Sequence, residues 1–529
     1  MRRSRPLRIP AAAEPLPEIT EALPGNASRP RNSGAAEQTP GDPADIGARS
    51  ASGVRWSLLA VLAKQGFQML SAVVLARLLG PESYGIVSVA SLFIVFTTLL
   101  LDQGLSSALI QRPRLTPRAA GATFTLNIAL AVIVGAATWV CAPAIAGFFR
   151  VEGLSELLRL IALALPLKAL GITPRALLAR ELRFRGIAAA DVAAAVLGSA
   201  AGIAAAVLGA GYFAVLYQTV LTDLVTAAVL LACTRGPAPN LHLGEVRPLL
   251  GFSAGVFATN GLAYFSRNID NILVGRVLGV ASLSLYAMAY RVLVVPVQLI
   301  GQTVNRVMFP AFARAAADPA QVAAQLRAAM ALLAACVIPL MAFVACAAPS
   351  LVHLLLGSSW LAAAPLMSIL AIGGARETVF YIAPSLMKGL GRAGLNLRYE
   401  LLATAAQLSG IIIGLQFGLL GVAAGYTAAG FVLTPVLMFL QSRLTGVGMP
   451  AQLRILWPPV HASLWGSAAY LLLGRVLPDP GTELFLGLAL FLVISGAVLA
   501  LFHRPTVRAL VPLLQRVLRR RVPVPTRGA

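Results

Sequence analysis

Stretches of about twenty apolar residues recur along most of this chain, and they restrict its fold more than any other feature. Because an α-helix rises about 1.5 Å per residue, a helix of that length crosses the hydrocarbon core of a bilayer. Fourteen such segments can be delimited, with approximate bounds 56–79, 84–110, 120–148, 154–178, 187–208, 212–233, 249–273, 283–309, 322–347, 361–386, 395–417, 419–440, 455–477 and 484–502. The sequence therefore predicts an all-α polytopic membrane protein with about 14 transmembrane helices.

The charge of the chain fits the same class. Only 12% of the residues are charged, against about 25% in a soluble domain, and the formal net charge is +22. Such a charge would also suit a nucleic-acid-binding protein. Here, however, Arg and Lys collect in alternate connections between the apolar segments, as the positive-inside rule requires. We therefore expect a membrane protein with both termini cytoplasmic, basic loops that contact membrane lipids, and no nucleic-acid partner.

The residues that usually carry catalysis or bind metals form no pattern. The four cysteines have no metal-type spacing, and the four histidines are scattered. The connections between apolar segments are also too short to hold the catalytic loops of a polymerase, ligase or glycosyltransferase. We expect no catalytic residues, no metal site, no cofactor and no enzymatic activity.

An internal repeat organises the chain. The stretch VVLARLLGPESYGIVSVA at 73–90 matches ILVGRVLGVASLSLYAMA at 272–289, which places Arg276 and Gly279 opposite Arg77 and Gly80 at a spacing of 276 − 77 = 199 residues. A weaker echo joins 209–218 to 418–427. Each period holds six segments, so both copies have the same orientation in the membrane. The sequence thus predicts two parallel six-helix lobes plus two C-terminal helices.

The predicted domains follow from the repeat and from composition. They are a disordered Pro/Arg-rich cytoplasmic tail at 1–52, an N-terminal lobe of helices 1–6 at 53–246, a C-terminal lobe of helices 7–12 at 247–445, helices 13 and 14 at 446–503, and a basic cytoplasmic tail at 504–529.

Polar side chains interrupt several apolar segments, although a central Arg, Lys or Asp costs about 2.5–3.5 kcal/mol on insertion scales. In the first, seventh and eighth segments they share one helical face: Lys64 and Gln68; Arg267, Asp270 and Asn271; Arg291, Gln298, Gln302 and Asn305. Further ionisable residues in apolar segments are Asp102, Lys168 and Arg376. Because the first and seventh segments open the two lobes, these faces predict a cavity between them, with a net positive charge that suits an anionic ligand.

Purely structural interpretations stay open for some of these residues. Arg267 can pair with Asp270 along one helix. Arg77 and Arg276 stand at predicted helix ends, where long basic side chains reach the membrane interface. Lys168 can contact a lipid phosphate from near a helix end.

Several motifs resemble the bacterial polysaccharide transporters of the multidrug/oligosaccharidyl-lipid/polysaccharide superfamily, in the branch of the colanic acid exporter and the succinoglycan transporter. The resemblance covers about residues 50–502. The motifs that carry it are LARLLGPESYGIVSVA, LDQGLSSALIQR, RNIDNILVGRVLG, LYAMAYRVLVVPVQLIGQTVNRVMFPAFAR and PSLMKGLGRAGLNLRYE. It implies a flippase that moves undecaprenyl-pyrophosphate-linked oligosaccharide repeat units across the cytoplasmic membrane for exopolysaccharide or lipopolysaccharide synthesis, by alternating access around a cationic central cavity.

The resemblance also implies roles for the polar residues, assigned here by depth and helical face. The expected pyrophosphate-binding residues are Lys64, Arg267 and Arg291, and Lys168 and Arg376 are further cationic candidates. The expected polar lining is Gln68, Asn271, Gln298, Gln302 and Asn305, and Asp270 and Asp102 are candidates for coupling to an ion. The implied partners are the lipid-linked oligosaccharide and the polysaccharide polymerase and glycosyltransferases of the pathway.

Three other functions stay open from the sequence. A lipid II flippase for peptidoglycan would bind a similar headgroup. A multidrug or cation antiporter of the same superfamily would prefer an acidic cavity, whereas basic residues outnumber acidic ones in the cavity segments. A non-transporting scaffold or sensor would leave the polar faces of the two lobes without an explanation.

Overall fold

The structure is a computed structural model of the full chain. It describes residues 43–102, 109–110, 115–234, 236–242, 244, 260–261, 264–265, 268–477 and 479–508. For the helical residues 43–59, 102, 292–303 and 305–306, the backbone alone is described.

Every regular element among the described residues is helical. The α-helices are α1 (Pro43–Asp102), α2 (Pro117–Phe149), α3 (Leu154–Arg180), α4 (Phe184–Val207), α5 (Ala214–Thr234), α6 (Val280–Ala315), α7 (Pro319–Leu355), α8 (Ala364–Phe380), α9 (Ala383–Gly389), α10 (Ala393–Leu415), α11 (Gly418–Thr445), α12 (Met449–Gly474) and α13 (Pro480–Phe502). Residues 268–277 are also helical, and short 3₁₀ turns at Gly211–Phe213 and Ser358–Ala363 lead into α5 and α8.

Local sequence explains several helix starts. Thr116, Asp318 and Asp479 stand directly before α2, α7 and α13, and the side-chain oxygen of each accepts a backbone N–H from the first turn. Each is followed by a proline. Proline has no backbone N–H, and none is needed there because the first N–H groups of a helix have no acceptor within the helix. Capping of this kind gives these three helices defined starts.

The first two predicted segments are two helices that meet at Gly80 without an intervening loop, and the label α1 covers both. Gly80 interrupts α1 with φ 70° and ψ 172°, and the helix resumes at Pro81. That conformation is accessible almost only to glycine. Gly279 adopts φ 86° and ψ 167° directly before α6, so the repeat at a spacing of 199 residues reproduces the same backbone turn in both copies.

We expect Gly80→Ala to lower the free energy of unfolding by about 1–3 kcal/mol, because a side chain strains this backbone region. No atom lies within 4 Å of a Cβ built on Gly80, so the loss would come from strain alone. Gly66→Ala, in open space on the same helix, is the matched control. Thermal unfolding of the purified variants measures the difference, and equal midpoints would contradict the strain.

The remaining helices follow the predicted segments, with one break. The tenth segment, 361–386, is divided into α8 and the short α9 by a turn at Tyr381 and Ile382. Among the described residues, nine stretches are long and apolar enough to cross a membrane, and α6, α10 and α12 are not in that set. The count of about fourteen transmembrane helices stays a prediction, as do the predicted domain bounds. The helix α1 begins at Pro43, inside the predicted N-terminal tail.

Two groups of helices pack together. In the N-terminal half (described residues up to 242), α2 packs on α3, α4 on α5, and α3 on α5. In the C-terminal half (described residues from 260), α8 packs against α6, α7 and α11, and α10 packs on α11. The last two helices, α12 and α13, pair with each other and lie against α7.

The two halves share one apolar core near Gly80 and Gly279. Buried residues of α1, α2 and α3 contact buried residues of α6, α7 and α8 there. The backbones of α1 and the start of α6 approach each other closely there, because a methyl group on Gly85 would collide with the Val280 carbonyl. Only a residue without a side chain allows the two backbones to come so near.

Candidate substrate cavity

A cavity of about 180 Å³ lies between the two halves. Its walls are the arm of α1 that follows the Gly80 kink, the helical stretch 268–277 and the first turns of α6. The lining residues are Tyr84, Ser88, Ser91, Leu92, Val95, Asn268, Asn271, Leu283, Ala287, Met288 and Arg291. The cavity therefore brings together Asn271 and Arg291, two residues singled out from the sequence.

Arg291 supplies the only formal charge among those described lining residues. Its Nη1 donates a hydrogen bond of 3.1 Å to the Tyr84 hydroxyl, and its side chain is otherwise exposed. Ser88 and Ser91 donate to carbonyls of their own helix, at 2.9 and 2.8 Å, and keep oxygen lone pairs free to accept. One guanidinium with amides and hydroxyls around it suits a ligand that is anionic and rich in hydroxyl groups.

Asp270 stands behind the cavity wall rather than in its lining. The carboxylate is buried; one oxygen accepts the backbone N–H of Asn271 at 2.8 Å and its side-chain amide at 3.3 Å. The other oxygen accepts the Tyr286 hydroxyl at 3.1 Å. Asp270 thereby fixes the orientation of Asn271. A direct contact between Asp270 and an ion stays a prediction.

Lys64 belongs to a separate ionic cluster in the N-terminal half. Asp191 of α4 lies between two cations, with Lys64 Nζ at 3.3 Å and Arg175 Nη2 of α3 at 2.7 Å. A second bond from Arg175 Nη1 at 3.2 Å makes the guanidinium contact bidentate. The three side chains carry a formal charge of +1, and the two cations are 39% and 38% exposed. This cluster presents accessible positive charge to an anion.

The other cationic candidates have protein partners. Lys168 of α3 forms an ion pair with Asp223 of α5, with Nζ and Oδ1 3.3 Å apart. Arg376 donates to the Thr434 hydroxyl at 2.9 Å and to the Tyr399 hydroxyl at 3.3 Å. Both contacts tie helices together, and a role for either residue in substrate binding stays a prediction.

Several predicted site residues cannot be placed as side chains. Arg267 lies outside the described residues. Four more belong to described helices whose side chains there are not described: Asp102, Gln298, Gln302 and Asn305. Gln68 is exposed on α1. The described residues hold no group of three or more His, Cys, Asp or Glu side chains able to bind a metal.

Sequence reasoning missed Arg175, Asp191, Asp223 and Tyr84. Asp191 and Asp223 did carry a signal, since each is a lone acid in an apolar segment, where an ionised group needs a partner. Tyr84 carried none, because a tyrosine near a helix end is ordinary in a membrane protein.

Comparison with known proteins supplies a family and a fold. A family model described as "Polysaccharide biosynthesis protein" matches residues 74–365. The chain is 26% identical over 438 residues to the lipopolysaccharide biosynthesis protein WzxC of Escherichia coli (strain K12), over 81% of this chain and 88% of that protein. It is 25% identical over 362 residues to the succinoglycan biosynthesis transport protein ExoT of Rhizobium meliloti (strain 1021), over 68% and 73% respectively.

Two solved structures share the fold. The lipid II flippase MurJ in an inward closed conformation matches with a TM-score of 0.68 at 13% identity, over 85% of this chain and 99% of that one. An inward-facing multidrug resistance MATE transporter of the MOP superfamily matches with a TM-score of 0.56 at 18% identity, over 74% and 98%. The prediction of an all-α polytopic membrane protein is confirmed.

Proposed function

Because the chain belongs to the polysaccharide biosynthesis protein family, we propose that it is a flippase for a lipid-linked oligosaccharide. Its substrate is an undecaprenyl-pyrophosphate-linked repeat unit, and the product is delivered for exopolysaccharide or lipopolysaccharide synthesis. WzxC and ExoT, by their names, act in lipopolysaccharide biosynthesis and succinoglycan transport. The motif resemblance to polysaccharide transporters is confirmed by this family membership.

One observation carries the proposal: the cavity between the halves holds Arg291 among hydroxyl and amide groups, with no carboxylate among its described lining residues. A pyrophosphate needs a cation with several N–H donors, and a sugar needs amides and hydroxyls. A site for cationic drugs would present acidic side chains instead. The cavity therefore favours the lipid-linked sugar over the antiporter alternative.

The Asp191 cluster supports the same substrate. Lys64 and Arg175 are both accessible, and a guanidinium that holds a carboxylate in two bonds matches the oxygens of a phosphate as well. Lys64 lies sixteen residues before the Gly80 kink, about 24 Å along the helix. We assign this cluster to the first contact with the pyrophosphate and Arg291 to a later one.

The proposed orientation places both termini in the cytoplasm of a bacterium and the protein in the inner membrane, following its basic loops. The end with Gly80 and Gly279 then faces the periplasm. The protein acts as a transporter and not as an enzyme, and it hands its product to the polymerase of the pathway.

Complementation tests the function. We would express the chain in a bacterium that lacks its exopolysaccharide flippase, then measure surface polymer and the lipid-linked repeat units that accumulate in the cytoplasmic leaflet. Restored polymer with cleared intermediates is expected. Rescue of a strain depleted of its lipid II flippase, without rescue of any exopolysaccharide strain, would contradict the proposal and favour the peptidoglycan precursor. Membrane insertion of the protein is checked in every strain.

A further inference from the structure

The kink in α1 leaves backbone carbonyls in need of donors, and the other half of the molecule supplies one. The backbone carbonyls of the last turn before Gly80 lack some of the N–H donors that a continuous helix would supply, because the helix is interrupted there and Pro81 has no N–H. The carbonyl of Ala76, in that turn, accepts the indole N–H of Trp360 at 3.0 Å. Trp360 is fully buried in the 3₁₀ turn before α8, so this bond lies in the core between the halves.

A reciprocal contact runs in the opposite direction. Arg77 Nη1 of α1 donates at 3.0 Å to the carbonyl of Leu354, in the last turn of α7. A cation at a helix C-terminus is favourable, because it meets the negative end of the helix dipole. Arg276 is the repeat counterpart of Arg77 and reaches from the C-terminal half to the N-terminal half. Its guanidinium lies 5.3 Å from the centre of the Phe148 ring near the end of α2. The halves are therefore fastened at this end by paired contacts.

We call these contacts the seal: Ala76 with Trp360, Arg77 with Leu354, and Gly85 against Val280. A flippase that works by alternating access must separate the halves at this end to release its cargo. The seal must then break in each cycle. Two of its three contacts are hydrogen bonds, and all three border the apolar core that the halves share, so opening the seal also parts buried side chains such as Tyr84 and Trp360.

Tyr84 joins the seal to the cavity. Its ring is buried edge-on against Trp360, with centroids 5.7 Å apart and planes at 77°. Its hydroxyl accepts the hydrogen bond from Arg291, the cation of the cavity. One side chain thus contacts both the cation of the cavity and the residue that donates to the last turn before Gly80.

We propose that Tyr84 couples occupancy of the cavity to opening of the seal. An anion that takes the N–H donors of Arg291 removes the donor that positions the Tyr84 hydroxyl. The Tyr84 ring then loses its fixed packing on Trp360, and the bond from Trp360 to Ala76 weakens. The inference rests on the proposed function, because it takes the anion to be the pyrophosphate of the cargo.

Distance measurements across the seal test the coupling. Spin labels would be placed at Glu82→Cys and Leu361→Cys, both exposed and on opposite halves, after the four native cysteines are replaced. The full chain in nanodiscs is measured with and without undecaprenyl diphosphate. In the parent chain we expect the lipid to shift the distribution toward longer distances.

Tyr84→Phe keeps the ring and removes the hydroxyl. We expect this variant to populate the longer distances about three- to tenfold more than the parent before any lipid is added, and to respond little to the lipid. Trp360→Phe should behave similarly, because the Ala76 carbonyl loses its donor. Trp457→Phe, on the exposed face of α12, is the matched control and should follow the parent.

Two results would overturn the coupling, and they differ from each other. If the parent responds to the lipid and Tyr84→Phe responds equally, Tyr84 does not transmit occupancy although the cargo assignment stands. If Tyr84→Phe opens the seal but undecaprenyl diphosphate does nothing to the parent, Tyr84 stabilises the seal without coupling, and the proposed cargo is contradicted too.

Gly85→Ala tests the seal from its backbone side. A methyl group there meets the Val280 carbonyl, so we expect the variant to favour longer distances with no lipid present. Gly66→Ala, on the same helix in open space, gains the same helix propensity and should keep the parent distribution. A parent-like distribution for Gly85→Ala would show that the halves are not pressed together at this point.

Discussion

Replacing Arg291 by glutamate should abolish polysaccharide export while leaving the protein in the membrane. Arg291 is the one charged residue among the described residues that line the cavity between the halves. A carboxylate at that position would repel a pyrophosphate instead of donating to it. Charge-assisted hydrogen bonds contribute about 1.5–3 kcal/mol each, so loss of one alone weakens binding by about 10–100-fold, and repulsion adds to that loss. Surface polymer in the complemented strain measures the effect.

The conservative variants separate charge from geometry. Arg291→Lys keeps the charge but loses the planar fork, so we expect partial export. Arg291→Ala should be close to inactive. Arg327→Ala, exposed near the start of α7, is the control for loss of an arginine from the chain and should export normally. Normal export by Arg291→Glu would contradict a role for this cavity in substrate transport.

A second large effect is expected at the ion pair between α3 and α5. The side chains of Lys168 and Asp223 are only 20% and 11% exposed. Lys168→Leu leaves the Asp223 carboxylate buried without its partner, and breaking such a pair costs about 3–5 kcal/mol. We therefore expect a sharp fall in the free energy of unfolding, measured by unfolding in mixed detergents.

The double variant supplies the control. Replacing a buried pair by apolar residues of similar size is often neutral or stabilising, so Lys168→Leu with Asp223→Leu should recover most of the lost stability. If the single and double variants are equally destabilised, the loss comes from packing and not from the unpaired charge. Retained transport in the double variant would assign this pair to stability alone.

The sequence predicted the helices well because apolar length is a local property. The first two segments are likewise two helices, but their junction is shorter than the predicted bounds 56–79 and 84–110 leave room for. The second helix begins at Pro81, directly after Gly80, since a glycine in this backbone conformation lets the next turn start at once. A proline is tolerated at that position because the first turn of a helix does not need the N–H that proline lacks.

The ionic contacts lay beyond sequence reasoning for a different reason. Asp191 is 16 residues from Arg175 and 127 from Lys64 in the sequence. The three side chains meet only because of the way their helices pack. The bond from Trp360 to Ala76 spans 284 residues. Helical faces predicted that Asn271 and Arg291 would line a cavity, but they could not show that Tyr84 stands between that cavity and the seal.

The carboxylate of Asp191 has a consequence for which lipids the protein can admit. An incoming anion competes for Lys64 and Arg175 with a carboxylate that is already in place and bidentate on Arg175. A phospholipid headgroup with a single negative charge gains little by that exchange, because it offers no more charge than the carboxylate it replaces. A pyrophosphate brings at least twice the charge and more oxygens to the same two cations. If the cluster receives the proposed cargo, we expect Asp191 to set a threshold of charge, so that the abundant anionic lipids of the bilayer bind there more weakly than a rare diphosphate lipid.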